Sequence, residues 1–318
     1  LDLSGFYDTS GELANVKVSG LQHKYTQTAL VLATNRCPVY CRFCFRKRLV
    51  GLPTKEVARR FRDVVDYVKS HEEITNVLIS GGDPLILPTK LLEGFLKELS
   101  TVSHLCYVRI GSRVLATFPQ RILDDPALVE VFERFSHGGK KVYVVTHFNH
   151  SRELTQEAKE AVAKLFKAGV VVYNQAVLLK GVNDNPDTLA SLMHGLVSMG
   201  VVPYYLFQCR PVRRVKKRFQ VALEEGYWTV EEAKRRLDGL AKKFRYVMSH
   251  RTGKVEIVGI HDDHIYFKYH QAADPYDTGL FFRRRMREGA GWLDDLDGII
   301  QHGLGRSTSQ TPPIPCVG

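Results

Sequence analysis

The stretch 28–48, TALVLATNRCPVYCRFCFRKR, joins an apolar run to a loop with three cysteines. Cys37, Cys41 and Cys44 have the spacing C-x3-C-x2-C. Soft thiolate ligands select zinc, copper(I) or iron–sulfur centres. A structural zinc site closes with a fourth Cys or His, and an electron-carrying [4Fe–4S] cluster uses four Cys. Three cysteines in one loop leave one iron open to a small molecule, so the loop indicates a reactive iron–sulfur site.

Length and composition agree with a soluble enzyme that can bury a large core. The chain has 318 residues, of which 44% are hydrophobic and 25% charged. One barrel-sized domain is as consistent with this length as two smaller ones. No apolar run approaches the roughly 18 residues of a membrane span. The start, LDLSGFYDTSGE, lacks the regions of a signal peptide, so we expect a cytoplasmic location.

The net charge of +11 raises the question of an acidic partner. Positive charge concentrates in RPVRRVKKR (210–218) and FFRRRMR (281–287), which have no interleaved aromatics for base stacking. These segments indicate solvated surfaces or sites for small anions. The alternative is an acidic macromolecular partner, either a nucleic acid or an acidic carrier protein.

Apolar strand-like runs alternate with amphipathic ones along the chain, which predicts an all-parallel sheet of six β-α units. The predicted strands are 28–34, 75–79, 106–110, 141–146, 170–178 and 201–207. The predicted helices are 55–70, 89–100, 125–136, 152–168 and 186–199. In such a fold the active site lies at the carboxyl ends of the strands. The polar motifs of this chain come at or directly after the ends of the predicted strands.

Six motifs carry a resemblance that extends over residues 20–209. In order they are CRFCFRKRLVG, LISGGDPL, VRIGSRVLATFPQRI, VTHFNH, NQAVLLKGVND and VPYYLFQC. The cysteine spacing is similar to that of the radical S-adenosylmethionine (radical SAM) enzymes, and the whole series resembles the lysine 2,3-aminomutase family. The resemblance implies a partial (β/α)6 TIM-type barrel over residues 27–210. Residues 1–26 would form an N-terminal extension, and 211–318 a basic helical and β C-terminal extension.

The resemblance also implies the cofactors. Cys37, Cys41 and Cys44 would hold an oxygen-sensitive [4Fe–4S] cluster whose open iron binds the amino and carboxylate groups of SAM. A donor such as flavodoxin or ferredoxin would supply the electron that cleaves SAM, and the resulting radical would abstract hydrogen from a small-molecule substrate. The residues expected to bind SAM are Gly81, Gly82, Asp83, Pro84, Ser112, His147 and Gln175.

The Gly-Gly-Asp-Pro segment has a physical reason to bind a ligand. Glycines remove the Cβ atoms that keep a ligand away from the backbone, and Asp83 offers acceptors to an ammonium group. The alternative is a plain turn.

Three arginines are expected to bind substrate. Arg46 matches the family arginine for the substrate carboxylate; a surface role is its alternative. Arg113 lies in the polar loop near the SAM and substrate pockets of the family. Arg210 stands where the lysine enzyme has an ammonium-binding aspartate, so we expect an anionic or amino-acid-like substrate in place of lysine. The alternative for Arg210 is the start of a rebuilt solvent-facing loop.

The family's pyridoxal phosphate site is altered. The glycine-rich segment that ends in the cofactor lysine is absent, and residues 231–249 read EEAKRRLDGLAKKFRYVMS. Thr28 stands where the family has an arginine near the phosphate. The sequence therefore predicts an aminomutase-like enzyme without stoichiometric pyridoxal phosphate. One alternative is a pyridoxal-phosphate-dependent amino acid 2,3-aminomutase with a displaced lysine, Lys254. A second is a non-catalytic iron–sulfur or nucleic-acid-binding protein.

Overall fold

The computed structural model describes residues 3–138 and 140–301, with side chains to residue 297. All the strands belong to one sheet whose order follows the chain from β1 to β13. Seven strands in its centre run parallel, and antiparallel strands extend it on both sides.

The parallel strands begin where the apolar runs of the sequence predict them. Their bounds are β3 Thr28–Thr34, β4 Asn76–Gly81, β5 Tyr107–Gly111, β6 Lys141–Thr146, β7 Val171–Leu178, β8 Val202–Gln208 and β9 Arg245–His250. The six predicted strands are confirmed to within two residues. The seventh, β9, was not predicted; it pairs with β8 in parallel register.

Helices cover the parallel strands, as connections between parallel strands require. The longer ones are α1 Phe61–Lys69, α2 Thr89–Ser100, α5 Pro126–Gly138, α6 Gln156–Lys167, α7 Pro186–Ser198 and α9 Leu223–Arg235. Short helices α3 Val114–Thr117, α4 Gln120–Leu123 and α8 Lys216–Phe219 lie in the loops. The Asn185 side chain accepts from the first backbone N–H groups of α7, and Gly169 and Gly200 follow helix ends with left-handed φ angles.

Two helix starts were predicted too early. The 152–168 helix begins at Gln156, after a short 3-10 turn and the N-cap Thr155. The second case is α1. Residues 55–60 form a loop rather than the first turn of a 55–70 helix, and α1 begins at Phe61. The reason is a contact with the sheet. The Ala58 N–H donates to the Leu32 carbonyl of β3 at 2.9 Å, so the chain stays extended there before it turns into α1.

The antiparallel strands tie both terminal parts of the chain to the central sheet. On one side lie β1 Val16–Val18 and β2 Leu21–Tyr25, and on the other β10 Gly253–His261, β11 His264–Ala272, β12 Phe281–Arg285 and β13 Asp297–Gln301. The sheet therefore runs across the residue 26 and residue 210 boundaries of the predicted extensions, and that division stays a prediction. No helix in the described part of the chain is long and apolar enough to cross a membrane.

Candidate active site

The carboxyl ends of the parallel strands face a cavity of about 320 Å³. N-terminal residues, the cysteine loop, the β4–α2 loop and strands β5 to β11 contribute to its wall. All but one of the residues predicted for iron, SAM, substrate and pyridoxal phosphate line this cavity. The lining residues are Cys37, Cys41, Cys44, Gly81, Gly82, Asp83, Ser112, His147, Gln175, Arg46, Arg113, Arg210 and Lys254. Pro84 is the exception, because it is buried at the start of the short helix Pro84–Ile86.

The three cysteines lie on the loop that follows β3, and each is partly accessible. Burial, the negative groups of Asp83 and the other two cysteines raise the pKa of Cys37 to about 12, and burial raises that of Cys44. Within residues 3–138 and 140–297, no three His, Cys, Asp or Glu side chains converge on a single metal ion. A [4Fe–4S] cluster binds each cysteine to a separate iron, so it does not require such convergence.

The glycines after β4 serve close contact between two loops. A Cβ on Gly81, which has φ +129°, would lie 2.2 Å from the Thr34 carbonyl oxygen. A Cβ on Gly82 would lie 2.1 Å from the Arg36 carbonyl oxygen. The Gly82 N–H donates to the Thr34 carbonyl at 2.7 Å. The close approach that the glycines permit is therefore to the start of the cysteine loop, whereas the sequence suggested an approach to a ligand.

Asp83 holds the loop after β5 in place. Its carboxylate accepts from the Ser112 hydroxyl and the Arg113 N–H, both at 2.7 Å, and from the Leu85 N–H at 3.1 Å. Burial is the largest influence and raises the pKa of Asp83, while these hydrogen bonds oppose it. Asp83 thus lines the cavity with most of its acceptor capacity already used.

Arg113 lies beside the cysteine loop. Its guanidinium donates to the Cys41 thiol at 2.9 Å and to the His147 carbonyl at 3.1 Å, and pairs with Glu153. It also lies over the Phe43 ring. These contacts place Arg113 against the cysteine loop, and its predicted role in substrate binding stays a prediction.

His147 and Gln175 present polar groups to the same side. Burial, together with the charge of Arg113, lowers the pKa of His147 to about 3, so the imidazole is neutral. Its Nε2 is buried and has no partner among the described residues. Gln175 lines the cavity from β7, whereas the neighbouring Asn174 amide is bonded to the Phe148 backbone. A buried nitrogen without a partner is a place for a ligand atom.

Arg46 is buried and paired. Its Nε and Nη2 donate to Glu12 Oε1 at 3.1 and 2.9 Å. Its Nη1 donates to the Ser80 hydroxyl and the Gly81 carbonyl. The surface alternative for Arg46 is wrong, since its exposed fraction is 6%. The partner Glu12 comes from a segment without a recognisable motif, so the sequence did not reveal it.

Arg210 lies in the wall of the cavity and not in a solvent-facing loop. Its Nη1 donates to the Ser10 hydroxyl at 2.8 Å, and its guanidinium stacks 3.9 Å from the Phe45 ring centre. Burial lowers the pKa of Arg210 to about 10, and the nearby Arg46 adds to that effect while Glu12 opposes it.

Two lysines extend this positive region. The Lys254 Nζ donates to the Gln271 side chain at 2.9 Å and lies over the Tyr205 ring. Burial and the charges of Arg109, Lys24 and Arg210 lower its pKa to about 7. Lys24 donates to the Ser10 and His250 carbonyls, and burial and Arg210 lower its pKa to about 8. The sequence missed Lys24 because nothing in its neighbourhood marks it.

Comparison with known proteins identifies relatives of this chain. The family model described as "Radical SAM superfamily" matches residues 31–193. A protein of Aquifex aeolicus, provisionally named an L-lysine 2,3-aminomutase, is 48% identical over 301 residues, which are 94% of this chain and 80% of that protein.

Two further relatives match over shorter parts of their own length. The L-lysine 2,3-aminomutase of Bacillus subtilis is 44% identical over 60% of this chain, which spans 40% of that enzyme. The glutamate 2,3-aminomutase of Clostridioides difficile is 36% identical over 74% of this chain, which spans 54% of that enzyme. The chain belongs to the lysine 2,3-aminomutase family of the radical SAM superfamily.

Proposed function

We propose that this enzyme holds a [4Fe–4S] cluster, cleaves SAM and abstracts hydrogen from a small anionic, amino-acid-like substrate. One observation carries the proposal. The three cysteines and the positive groups Arg210 and Lys254 line the same cavity. Neither Arg210 nor Lys254 has a carboxylate oxygen within 4.0 Å in the described part of the chain. An anion is the ligand that this charge arrangement favours.

The protein residues have distinct tasks in this proposal. Cys37, Cys41 and Cys44 hold the cluster, and they release protons on binding iron because their ligand form is the thiolate. When bound, the cluster and SAM supply the 5′-deoxyadenosyl radical that takes hydrogen from the substrate. Asp83 fixes the loop that carries Ser112, and the buried His147 Nε2, which has no partner among the described residues, would take a polar atom of SAM.

In this proposal Arg210 orients the substrate through its acid group. Phe45 holds the guanidinium plane, and the Ser10 hydroxyl uses one of its donors, so the remaining donors are available in fixed positions. A positioned substrate keeps its reacting carbon at one place. This raises the rate because the translational and rotational entropy is lost on binding and not in the chemical step. The same arginine repels an ammonium group at this position.

The test is formation of 5′-deoxyadenosine by the anaerobically reconstituted, reduced enzyme with SAM and either L-glutamate or L-lysine. We expect glutamate to stimulate the reaction more than lysine, and Arg210→Gln to reduce that stimulation about tenfold or more. Arg218→Gln is the control, because Arg218 belongs to the same basic segment but is exposed and outside the cavity. Stronger stimulation by lysine, or an effect of Arg218→Gln equal to that of Arg210→Gln, would contradict the proposal.

A second candidate function is a pyridoxal-phosphate-dependent 2,3-aminomutase. The observation in its favour is that Lys254 lines the cavity with a pKa of about 7, so half of the amine is neutral at that pH. Arg109 Nε, in the same cavity, is buried without a partner among the described residues and could serve a phosphate. The purified enzyme would then show the absorbance of a pyridoxal imine, and borohydride would attach the cofactor permanently to Lys254. That result would establish this function and overturn our expectation of no stoichiometric cofactor.

A further inference from the structure

Arg46 has little capacity left for a substrate carboxylate. An arginine has five N–H donors. The Nε and Nη2 groups of Arg46 each donate to Glu12 Oε1, at 3.1 and 2.9 Å. The Nη1 group donates to the Ser80 hydroxyl at 2.9 Å and to the Gly81 carbonyl at 3.3 Å. The carboxylate that this arginine binds is therefore supplied by the chain itself.

Glu12 is fixed in that position from several directions. Its other oxygen pairs with Arg48 at 2.8 Å. The Asp8 carboxylate accepts from the Glu12 N–H at 2.9 Å and from the Leu13 N–H at 3.0 Å, which holds the turn that carries Glu12. Burial would raise the pKa of Glu12, yet the charges of Arg46, Arg48 and Arg210 lower it to about 2, so it stays ionised.

The segment that carries Glu12 is also joined to the segment that carries Arg210. The Phe6 N–H donates to the Pro211 carbonyl at 2.8 Å, and the Arg213 N–H donates to the Phe6 carbonyl at 3.1 Å. Both guanidiniums, that of Arg46 and that of Arg210, lie over the Phe45 ring. One arginine of this pair is thus neutralised by Glu12, and the other retains its charge for a ligand.

We propose that Glu12 is a specificity-determining residue: its carboxylate fills the Arg46 site, so that a substrate anion binds at Arg210. The inference rests on the proposed function, since it concerns the substrate side of the same cavity. It predicts that removing the Glu12 charge creates a second anion site at Arg46. The enzyme would then gain affinity for molecules with two carboxylates.

The test measures binding, so it does not depend on turnover. Calorimetry with the reconstituted enzyme would use glutarate, with two carboxylates, and butyrate, with one. Glu12→Gln should tighten glutarate binding about tenfold to a hundredfold, the range of one charged hydrogen-bonded contact, and should tighten butyrate binding less. The double variant Glu12→Gln/Arg46→Gln should lose that gain, and Arg210→Gln should weaken glutarate binding in the parent background.

The control is Glu56→Gln, because Glu56 also pairs with Arg48 but does not line the cavity. It should leave both affinities unchanged. If Glu12→Gln does not fold, Glu12→Asp should shift glutarate affinity in the same direction by less. An unchanged glutarate affinity in the folded Glu12 variant overturns the inference. So does an Arg46→Gln variant that weakens binding as much as Arg210→Gln, because Glu12 would then move aside for the substrate. The 5′-deoxyadenosine assay decides the proposed function separately.

Discussion

Replacing Glu12 by Gln should destabilise the protein in a pH-dependent way. The change removes the charge between Arg46 and Arg48 but keeps the size of the side chain and an oxygen acceptor. Glu12 is 7% exposed, so solvent screens its ion pairs only weakly. Removing one partner of a buried pair leaves an uncompensated charge, which costs roughly 3 to 5 kcal/mol.

The lowered pKa gives an independent value for the same quantity. A fall from 4.5 to about 2 corresponds to about 3 kcal/mol of stability at neutral pH. Because the folded-state pKa is lowered, this stability is present above the unfolded-state pKa and is lost as the pH falls through the folded-state value. The gap between parent and variant should therefore shrink from about 3 kcal/mol near neutral pH to about 1 kcal/mol near pH ~3.

Equilibrium urea unfolding, followed by circular dichroism in reducing buffer, measures this gap. Glu56→Gln is the matched comparison, because it removes the other acid of Arg48 at a more exposed position and should cost less than about 1 kcal/mol. Equal losses in the two variants, or a gap that stays constant down to acid pH, would refute the argument that a buried, ionised Glu12 stabilises the fold.

Further outcomes follow for the iron, SAM and lysine sites. Cys209→Ala should keep its iron and sulfide, whereas iron should be lost after changing any one of Cys37, Cys41 and Cys44; equal loss in Cys209→Ala would mean that the ligand set is wrong. Asp83→Ala should weaken SAM binding in an EPR titration with the cluster intact, and should lower the stability by about 1 to 3 kcal/mol because buried donors lose their acceptor. An unchanged SAM affinity would remove this loop from the SAM site. Borohydride treatment should fix no stoichiometric pyridoxal phosphate; labelling of Lys254 would contradict this.

The strands could be predicted from the sequence because each is an apolar run bounded by turn residues. β3, TALVLAT, is recognisable without any tertiary information. β9 was missed because it depends on a partner: RYVMSH becomes a strand of the parallel sheet by pairing with β8, from which residues 209–244 separate it. The 55–60 segment was misassigned because its contact with Leu32 is invisible in local periodicity.

The candidate site was predictable only where residues form motifs. The residues of the cysteine motif and of the Gly-Gly-Asp segment do line the cavity. Glu12 and Lys24 reach the same cavity through the fold of the N-terminal segment, and no short-range pattern distinguishes them from surface charges. The sequence identifies Lys254 as a candidate, but its burial near other cations, which lowers its pKa, follows only from the pairing of β10 with β9 at the edge of the parallel strands.

The positive groups of the cavity act on one another, and this links the two candidate functions. Burial is the largest cause of the lowered pKa of Lys254, and the charges of Arg109, Lys24 and Arg210 lower it further. A carboxylate bound at Arg210 would offset that charge and raise the pKa of Lys254, which favours the ammonium form. A neutral, aldehyde-reactive Lys254 and a filled anion site at Arg210 therefore oppose each other. An enzyme that used Lys254 to carry pyridoxal phosphate would gain from binding the cofactor before the substrate. In an enzyme without pyridoxal phosphate, a substrate carboxylate at Arg210 keeps Lys254 charged, and the ammonium group is then a second contact for that carboxylate.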